Sequence, residues 1–297
     1  MSNYTGSGVQ NGPDLWLDQL PKPGRHSHKY DRGHTAVLSG GALSTGAARL
    51  AAMAALRVGS GLVTVLTPAS AALVNAAHLT AVMLRKADHP QDIAATLNDQ
   101  RFTAVVAGPG LGVGTRTRDK VQTVLESNCA TVLDADALTS FSDDPDTLFA
   151  MIAEREACDS ESAPATVLTP HGGEFARLFG PVDADKMQIT ARASERAGAI
   201  VVHKGSETVI ASCERSGGQR LAVNRHASPW LATAGTGDVL AGTIAGLLAQ
   251  GMPGFEAACA GVWLHGDAAI RLGPAMTAED MDHGLQAALA GLHEEKG

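Results

Sequence analysis

Closely spaced cysteines are missing from this 297-residue chain. It holds four, Cys129, Cys158, Cys213 and Cys259, and none forms the CxxC pair expected of a zinc site or a dithiol motif. Buried free thiols in a reducing compartment are the expected state. Aromatic residues are scarce at 4%. No apolar run reaches the roughly 18 residues that suggest a membrane span, and the opening "MSNYTGSGVQNGPDLW" has no basic-then-apolar leader pattern. A cytoplasmic protein with no membrane partner is expected. An excess of positive charge is also missing, with 23 Lys and Arg against 31 Asp and Glu and a net charge of −8. Binding to a nucleic-acid polymer needs a basic stripe and is disfavoured. A nucleotide ligand is not excluded, because backbone N–H groups and helix N-termini can hold phosphates. Neither phosphate-loop pattern, GxxxxGK[ST] or GxGxxG, is present.

What is abundant is glycine, at 33 residues, within a chain that is 44% hydrophobic. Tight strand-to-helix turns and close packing of small residues follow from that mixture. Short apolar runs alternate with helical patterns. "TAVLSGG" (residues 35–41) precedes "TGAARLAAMAALRVGSG", which Ser44 or Thr45 can cap and Gly59 can close. "LVTVLTP" ends at Pro68. "FTAVVAGPGLGVG", "ATVLDADALTS" and "ATVLTPHGGEFARLF" each run from strand into loop. "AIVVHKGSETVIAS" reads as two strands around a turn. From Thr236 to about His293 three helices with small-residue faces are expected, packing within one subunit or between subunits. Repeated strand-turn-helix units predict an α/β fold with a mostly parallel sheet and helices on both faces. Residues 1–24 read as a flexible or loosely docked arm, held locally through Trp16 and Leu20, and residues 25–297 as a single domain. Residues 143–163 read as an acidic helix and loop insertion.

Ligands of such sheets bind beyond the carboxyl ends of the strands, and five loops there carry unusual residues. Ala107–Gly114 is glycine-rich and suits either a close ligand approach or a plain turn. Asp134 and Asp136 follow a strand and can bind a polar ligand, hold a cation through water or cap a helix. His171 and Glu174 stand three apart at a helix start, so both can face one cleft. Lys204 ends an apolar strand and suits a phosphate, with Ser206 and Thr208 adding donors, or it sits on an ordinary hairpin. Gly235, Thr236 and Gly237 bring free N–H groups to the N-terminus of an apolar helix, which is an anion hole on physical grounds. A carboxylate beside a bound phosphate makes sense as a general base, so Asp238 is either that base or a first-turn helix residue.

In this order, the five loops resemble the ribokinase-like superfamily. The closer resemblance is to the ADP-dependent NAD(P)H-hydrate dehydratase family. It rests on an entry segment from His28-Lys29-Tyr30 to Gly41, the "TGAARLAA" helix (residues 45–52), GPGLG, DADAL, TPHGGEF, the KGSET turn and GTGD. Together they cover about residues 25 to 293. The resemblance implies a three-layer α/β/α sandwich and repair of (6S)-NADH or NADPH hydrate to the reduced cofactor. ADP would be the co-substrate, Mg²⁺ the companion ion, and AMP and phosphate the products. It assigns the hydrate to Ala47, Gly110, His171 and Asp238, with Asp238 catalytic. The nucleotide goes to Lys204, Gly205, Ser206, Glu207, Thr208 and Gly237. Glu174 is the first guess for a metal contact, through water. Many bacterial members are fused behind an epimerase domain. This chain is therefore expected to stand alone or to be the second half of a split protein, with a separate epimerase as a partner. A homo-oligomer is expected. Two rival readings are a vitamin-alcohol kinase of the superfamily and a nucleotide-binding regulator. His171 stands where several of those kinases carry Asn, and the intact Asp238 argues against a site without activity.

Overall fold

The apolar runs alternate with helices as their composition requires. The computed structural model describes residues 8–157, 164–182, 185–213 and 218–294. The chain enters through β1 (Val9–Gln10), β2 (His34–Leu38), α1 (Thr45–Arg57), β3 (Leu62–Thr67) and α2 (Ala69–His78). It continues through β4 (Met83–Lys86), α3 (Pro90–Leu97), β5 (Ala104–Ala107), α4 (Thr115–Leu125), β6 (Ala130–Leu133), α5 (Asp136–Thr139) and α6 (Pro145–Ala157). Then come β7 (Thr166–Leu168), α7 (Gly172–Phe179), α8 (Lys186–Ala197), β8 (Ile200–His203), β9 (Thr208–Cys213) and β10 (Gln219–Asn224). Three helices follow, α9 (Thr236–Ala249), α10 (Gly254–Leu272) and α11 (Met281–Glu294).

The ten strands among the described residues form one sheet in the order β1-β10-β9-β8-β7-β6-β5-β2-β3-β4. The pairs from β4 through β8 are parallel, and β9 is antiparallel to both β8 and β10. From β2 the chain moves outward to β3 and β4, then returns to place β5 on the other side of β2. The carboxyl ends of β2 and β5 therefore flank a topological switch point, where open α/β sheets form their ligand crevice.

Alternation along each strand feeds two cores. Val37, Val63, Val65, Val106 and Val132 face α1, α9, α10 and α11. Ala36, Leu38, Leu66, Val105 and Leu133 face the opposite layer, which includes α3, α4 and α6. The result is a three-layer α/β/α sandwich. The faces of α9 and α10 are small for a reason internal to one chain. Ala257, Ala258, Cys259 and Ala260 are fully buried within it, and a side chain at Gly242 would collide with the Ala51 carbonyl oxygen of α1.

Three expectations are revised. The segment 143–163 is not an insertion as far as Ala157. Its helix α6 is the β6–β7 crossover, and Leu148 and Ile152 are wholly buried. Residues 158–163, with Cys158, lie outside the described residues, as do residues 1–7. The Ser44 side chain makes no capping hydrogen bond at α1. Of the thiols, Cys129 and Cys259 are buried while Cys213 is only half-buried.

The described part of the arm is well anchored. β1 pairs with β10, and the Asn11 amide donates to Asn224 Oδ1 at 3.0 Å and to the Cys259 carbonyl at 2.8 Å. Trp16 is 1% exposed and lies 5.7 Å from the Trp263 ring. Truncating a buried Trp costs about 3–5 kcal/mol. Trp16→Ala should therefore lower the denaturant midpoint by that equivalent. A midpoint within experimental error of wild type would mean that the arm adds nothing to stability.

Candidate active site

The loops after β2, β5, β6, β7 and β8 lie together because these neighbouring parallel strands point their carboxyl ends the same way, and the GTGD stretch reaches them at the start of α9. At the switch point the loop after β2 touches the loop after β5. A Cβ at Gly40 would lie 1.8 Å from the Gly110 carbonyl oxygen, so only glycine permits this approach. Gly110 in turn faces α1, since a Cβ there would be 3.6 Å from the Ala47 Cβ. Ala47 and Gly110 are thus brought together. Asp136 braces the same loop by accepting the Gly112 N–H at 2.8 Å, and Ser140 Oγ accepts from the Gly114 N–H at 3.1 Å.

Beyond β6, Asp134 is 2% exposed and pairs with Lys204 Nζ at 2.8 Å. Lys204 follows β8 directly, and its backbone N–H donates to the Pro170 carbonyl at 2.9 Å, which ties together the chain leaving β7 and β8. Its side chain is 19% exposed, so it is not the solvent lysine of an ordinary hairpin. Gly205, Ser206 and Glu207 stand exposed on the turn, and Glu207 pairs with Arg225 at 2.6 Å. Lys186, at the start of α8, holds this turn by donating to the Lys204 and Glu207 carbonyls at 3.2 and 2.5 Å. The Phe175 ring stacks on His203 at 3.9 Å and ties the TPHGGEF and KGSET loops together.

His171 caps α7. Its Nδ1 accepts the Gly173 and Glu174 N–H groups at 3.0 and 3.3 Å, and Glu174 Oε2 accepts the His171 N–H at 2.9 Å. This is a capping box with His as the first member. With Nδ1 accepting, a neutral ring carries its hydrogen on Nε2, which lies 3.4 Å from Glu174 Oε1. Glu174 is 6% exposed, and burial together with the Asp134 carboxylate pushes its pKa up.

The GTGD stretch opens α9. Gly235 takes φ +91°, and a Cβ there would fall within 2.8 Å of Leu50 and Ala278 atoms. Both facts require glycine. Gly237 lies beside the ion pair, since a Cβ would be 3.5 Å from Lys204 Nζ and 3.8 Å from Asp134 Oδ2. The Thr236 hydroxyl donates to the Leu231 and Thr233 carbonyls at 2.8 and 3.0 Å. The Thr236 carbonyl accepts from His265 Nε2 at 2.8 Å. Burial lowers the His265 pKa to about 4, so the ring stays a neutral donor. Asp238 stands in the first turn. Burial, then the Asp134 carboxylate, raises its pKa to about 6, against the pull of Lys204. A carboxylate with that value is basic enough to accept a proton near neutrality and is still mostly ionised there.

Lys186 and His265 were not singled out from the sequence. Neither lies in a glycine motif, and each reaches its partner only through tertiary packing. Among the described residues, no three His, Cys, Asp or Glu side chains form a cation cage. Two crowded carboxylates, Asp134 and Glu174, do fit the Mg²⁺ habit of using one or two protein carboxylates alongside phosphates and water.

The family model for NAD(P)H-hydrate dehydratase matches residues 35–287. The chain belongs to the NAD(P)H-hydrate dehydratase family. It is 38% identical over 239 residues to the bifunctional NAD(P)H-hydrate repair enzyme of Mycobacterium tuberculosis, covering 80% of this chain and 45% of that one. It is 38% identical over 250 residues to the ADP-dependent (S)-NAD(P)H-hydrate dehydratase of Neisseria meningitidis, covering 82% of this chain and 78% of that one. The chain thus spans about half the length of several curated relatives it matches. Among solved structures, the ADP/ATP-dependent NAD(P)H-hydrate dehydratase of Bacillus subtilis, co-crystallised with ATP and Mg²⁺, superposes with a TM-score of 0.80 at 26% identity. That superposition covers 96% of this chain and 99% of that one. The hydroxyethylthiazole kinase of Pyrococcus horikoshii shares the ribokinase-like fold at a TM-score of 0.60 and 15% identity.

The raised Asp238 pKa has a consequence for stability. The folded state holds this proton more tightly than the unfolded chain, whose value is near 3.8. Its stabilising contribution is complete below about pH 4 and is lost as pH rises through about 6. Asn at this position removes that loss. Asp238→Asn should gain about 1–2 kcal/mol over wild type between pH 4 and pH 7, after allowance for partial exposure. Denaturant unfolding at both values checks this; a difference that does not change with pH would contradict the buried carboxylate.

Proposed function

We propose that this protein converts (6S)-NADH or NADPH hydrate back to the reduced cofactor, with ADP as co-substrate and AMP and phosphate as products. The observation that carries the reading is Asp238. It is a half-buried carboxylate with a pKa of about 6, in the first turn of a helix whose N-terminus lies beside the Asp134–Lys204 pair. Membership of the dehydratase family supplies the substrate class.

Hydroxide is a poor leaving group near neutral pH, whereas phosphate leaves readily. In the proposed sequence, Asp238 accepts the proton of the ring hydroxyl while that oxygen attacks the terminal phosphorus of ADP. A new O–P bond forms, the bridging P–O bond breaks, and AMP departs. Backbone N–H groups at Gly235, Thr236 and Gly237 face the developing charge, and Lys204 neutralises the phosphates. The ring nitrogen lone pair then expels phosphate, and loss of a proton from the adjacent ring carbon restores the dihydropyridine. Ala47, Gly110 and His171 are assigned to the hydrate, and Lys204 to Thr208 with Gly237 to the nucleotide. Bound Mg²⁺ would offset phosphate charge, with Glu174 or Asp134 as its protein contact, through water.

No helix among the described residues is long and apolar enough to cross a membrane, and action on a soluble cofactor in the cytoplasm fits the reading. The longer relatives are named bifunctional, and an epimerase acting beside this chain would supply it with the correct epimer. A homo-oligomer remains part of the proposal.

The deciding experiment incubates the protein with NADH hydrate and ADP and follows the absorbance of the reduced cofactor. Recovery of absorbance is expected. Its absence, with turnover of a pyrimidine or thiazole alcohol instead, would favour a vitamin kinase. Asp238→Asn should lower kcat by roughly 10²-fold or more, and wild-type kcat should fall below about pH 6 as Asp238 protonates. Lys204→Ala should raise the KM for ADP. An unchanged value would remove Lys204 from the nucleotide site.

A further inference from the structure

A cavity of ≈ 670 Å³ adjoins the switch point and lies outside the residues assigned so far. It sits over the carboxyl ends of β2, β3 and β4, and Gly40, Gly41, Leu111, His89, Arg116 and Lys120 line it. Gly40 is the residue that touches Gly110, so the loop assigned to the hydrate forms the rim of this cavity. Its floor is braced. Asn75 is fully buried, and its amide donates to Ser39 Oγ at 3.1 Å and Thr67 Oγ1 at 2.9 Å, which joins the ends of β2 and β3.

The charges are unevenly engaged. Arg116 and Lys120 stand four apart on α4, on one face, and neither has an ion-pair partner among the described residues. Lys120 is half-buried, which makes an unpaired ammonium costly there. Two acids also line the cavity, Asp88 and Asp119. Asp88 is already held by the Ala69 N–H at 2.7 Å and by Lys86 at 3.1 Å, and Asp119 is exposed. The first turns of α2, α3 and α4 contribute Ser70, Pro90 and Arg116 to the lining, so three positive helix ends border the same space. An anion would satisfy both free cations.

We propose that this cavity receives a phosphate of the dinucleotide substrate remote from the reacting ring, gripped by Arg116 and Lys120. The proposal rests on the dehydratase reading for the identity of that ligand. A dinucleotide carries its phosphates away from the reacting ring, so a ring held at Asp238 leaves them to reach neighbouring surface. The rim shared by Gly40 and Gly110 gives it a direction.

The test is the Arg116→Gln/Lys120→Gln double variant, with Arg116→Lys/Lys120→Arg as the charge-preserving control. Two measurements are made on each protein: KM and kcat for NADH hydrate and NADPH hydrate with ADP, and the affinity for NADP⁺ and NAD⁺ by calorimetric titration. The Gln variant should raise the hydrate KM by about tenfold or more, as expected for lost charge-assisted contacts. Its kcat and its KM for ADP should stay within about twofold of wild type, and the Lys/Arg control should recover most of the loss. A rise for NADPH hydrate alone identifies the ribose 2′-phosphate; an equal rise for both hydrates identifies the pyrophosphate. Unchanged KM for both, with unchanged NADP⁺ affinity, overturns the proposal. If wild type repairs neither hydrate, the dehydratase reading fails by itself. The NADP⁺ titration then decides the cavity: weaker binding by the Gln variant supports it, and equal or absent binding overturns it.

Discussion

The candidate site depends on one buried ion pair. Asp134 and Lys204 meet at 2.8 Å beneath the helix start that carries Asp238. Burying two charges is costly unless each finds a partner in good geometry, so neither can move without stranding the other. The pair therefore fixes the relative positions of the β6 and β8 ends and leaves a cation facing the cleft. It also acts on its neighbours in opposite directions. The Asp134 carboxylate pushes the Asp238 and Glu174 carboxyls up, while Lys204 pulls both down. Burial supplies the largest upward push at Asp238, the Asp134 carboxylate adds to it, and the result against Lys204 is an acid of about 6.

Glycine and alanine set the second constraint, which is distance. The loops after β2 and β5 come from opposite sides of the switch point and meet through Gly40 and Gly110. Side chains at Gly40 would prop them apart. Inside the same layer, α9 can reach the sheet end because Gly242 lies against the α1 backbone. Small residues are thus not filler in this chain. They bring a helix N-terminus, a lysine and two acids close together.

His171 shows a local rule at work inside the candidate site. Its ring closes a capping box, which explains why an acceptor side chain is needed there. Asn satisfies the same rule, so capping alone does not require His here. The imidazole places an Nε2–H 3.4 Å from Glu174 Oε1.

Much of this was legible along the chain. Apolar runs that end in glycine, acid or proline determined the strands β2, β3 and β5 to β8, and the loops they feed. Asp134, His171, Lys204 and Asp238 all announced themselves as polar residues at apolar strand ends or helix starts. Other features were not legible. β1 has two residues and β4, "MLRK", is half charged and largely exposed, so neither shows an apolar run, and α6 looked like an insertion because Asp143, Asp144 and Asp146 crowd its start. Lys186 and His265 carry no local signal at all, since their partners lie 18 and 29 residues away. Local sequence determined which groups stand at the carboxyl edge. Only the tertiary structure decided which of them meet, because pairing Asp134 with Lys204 across 70 residues depends on strand order. Strand order follows from how the two cores pack, and no single segment encodes it.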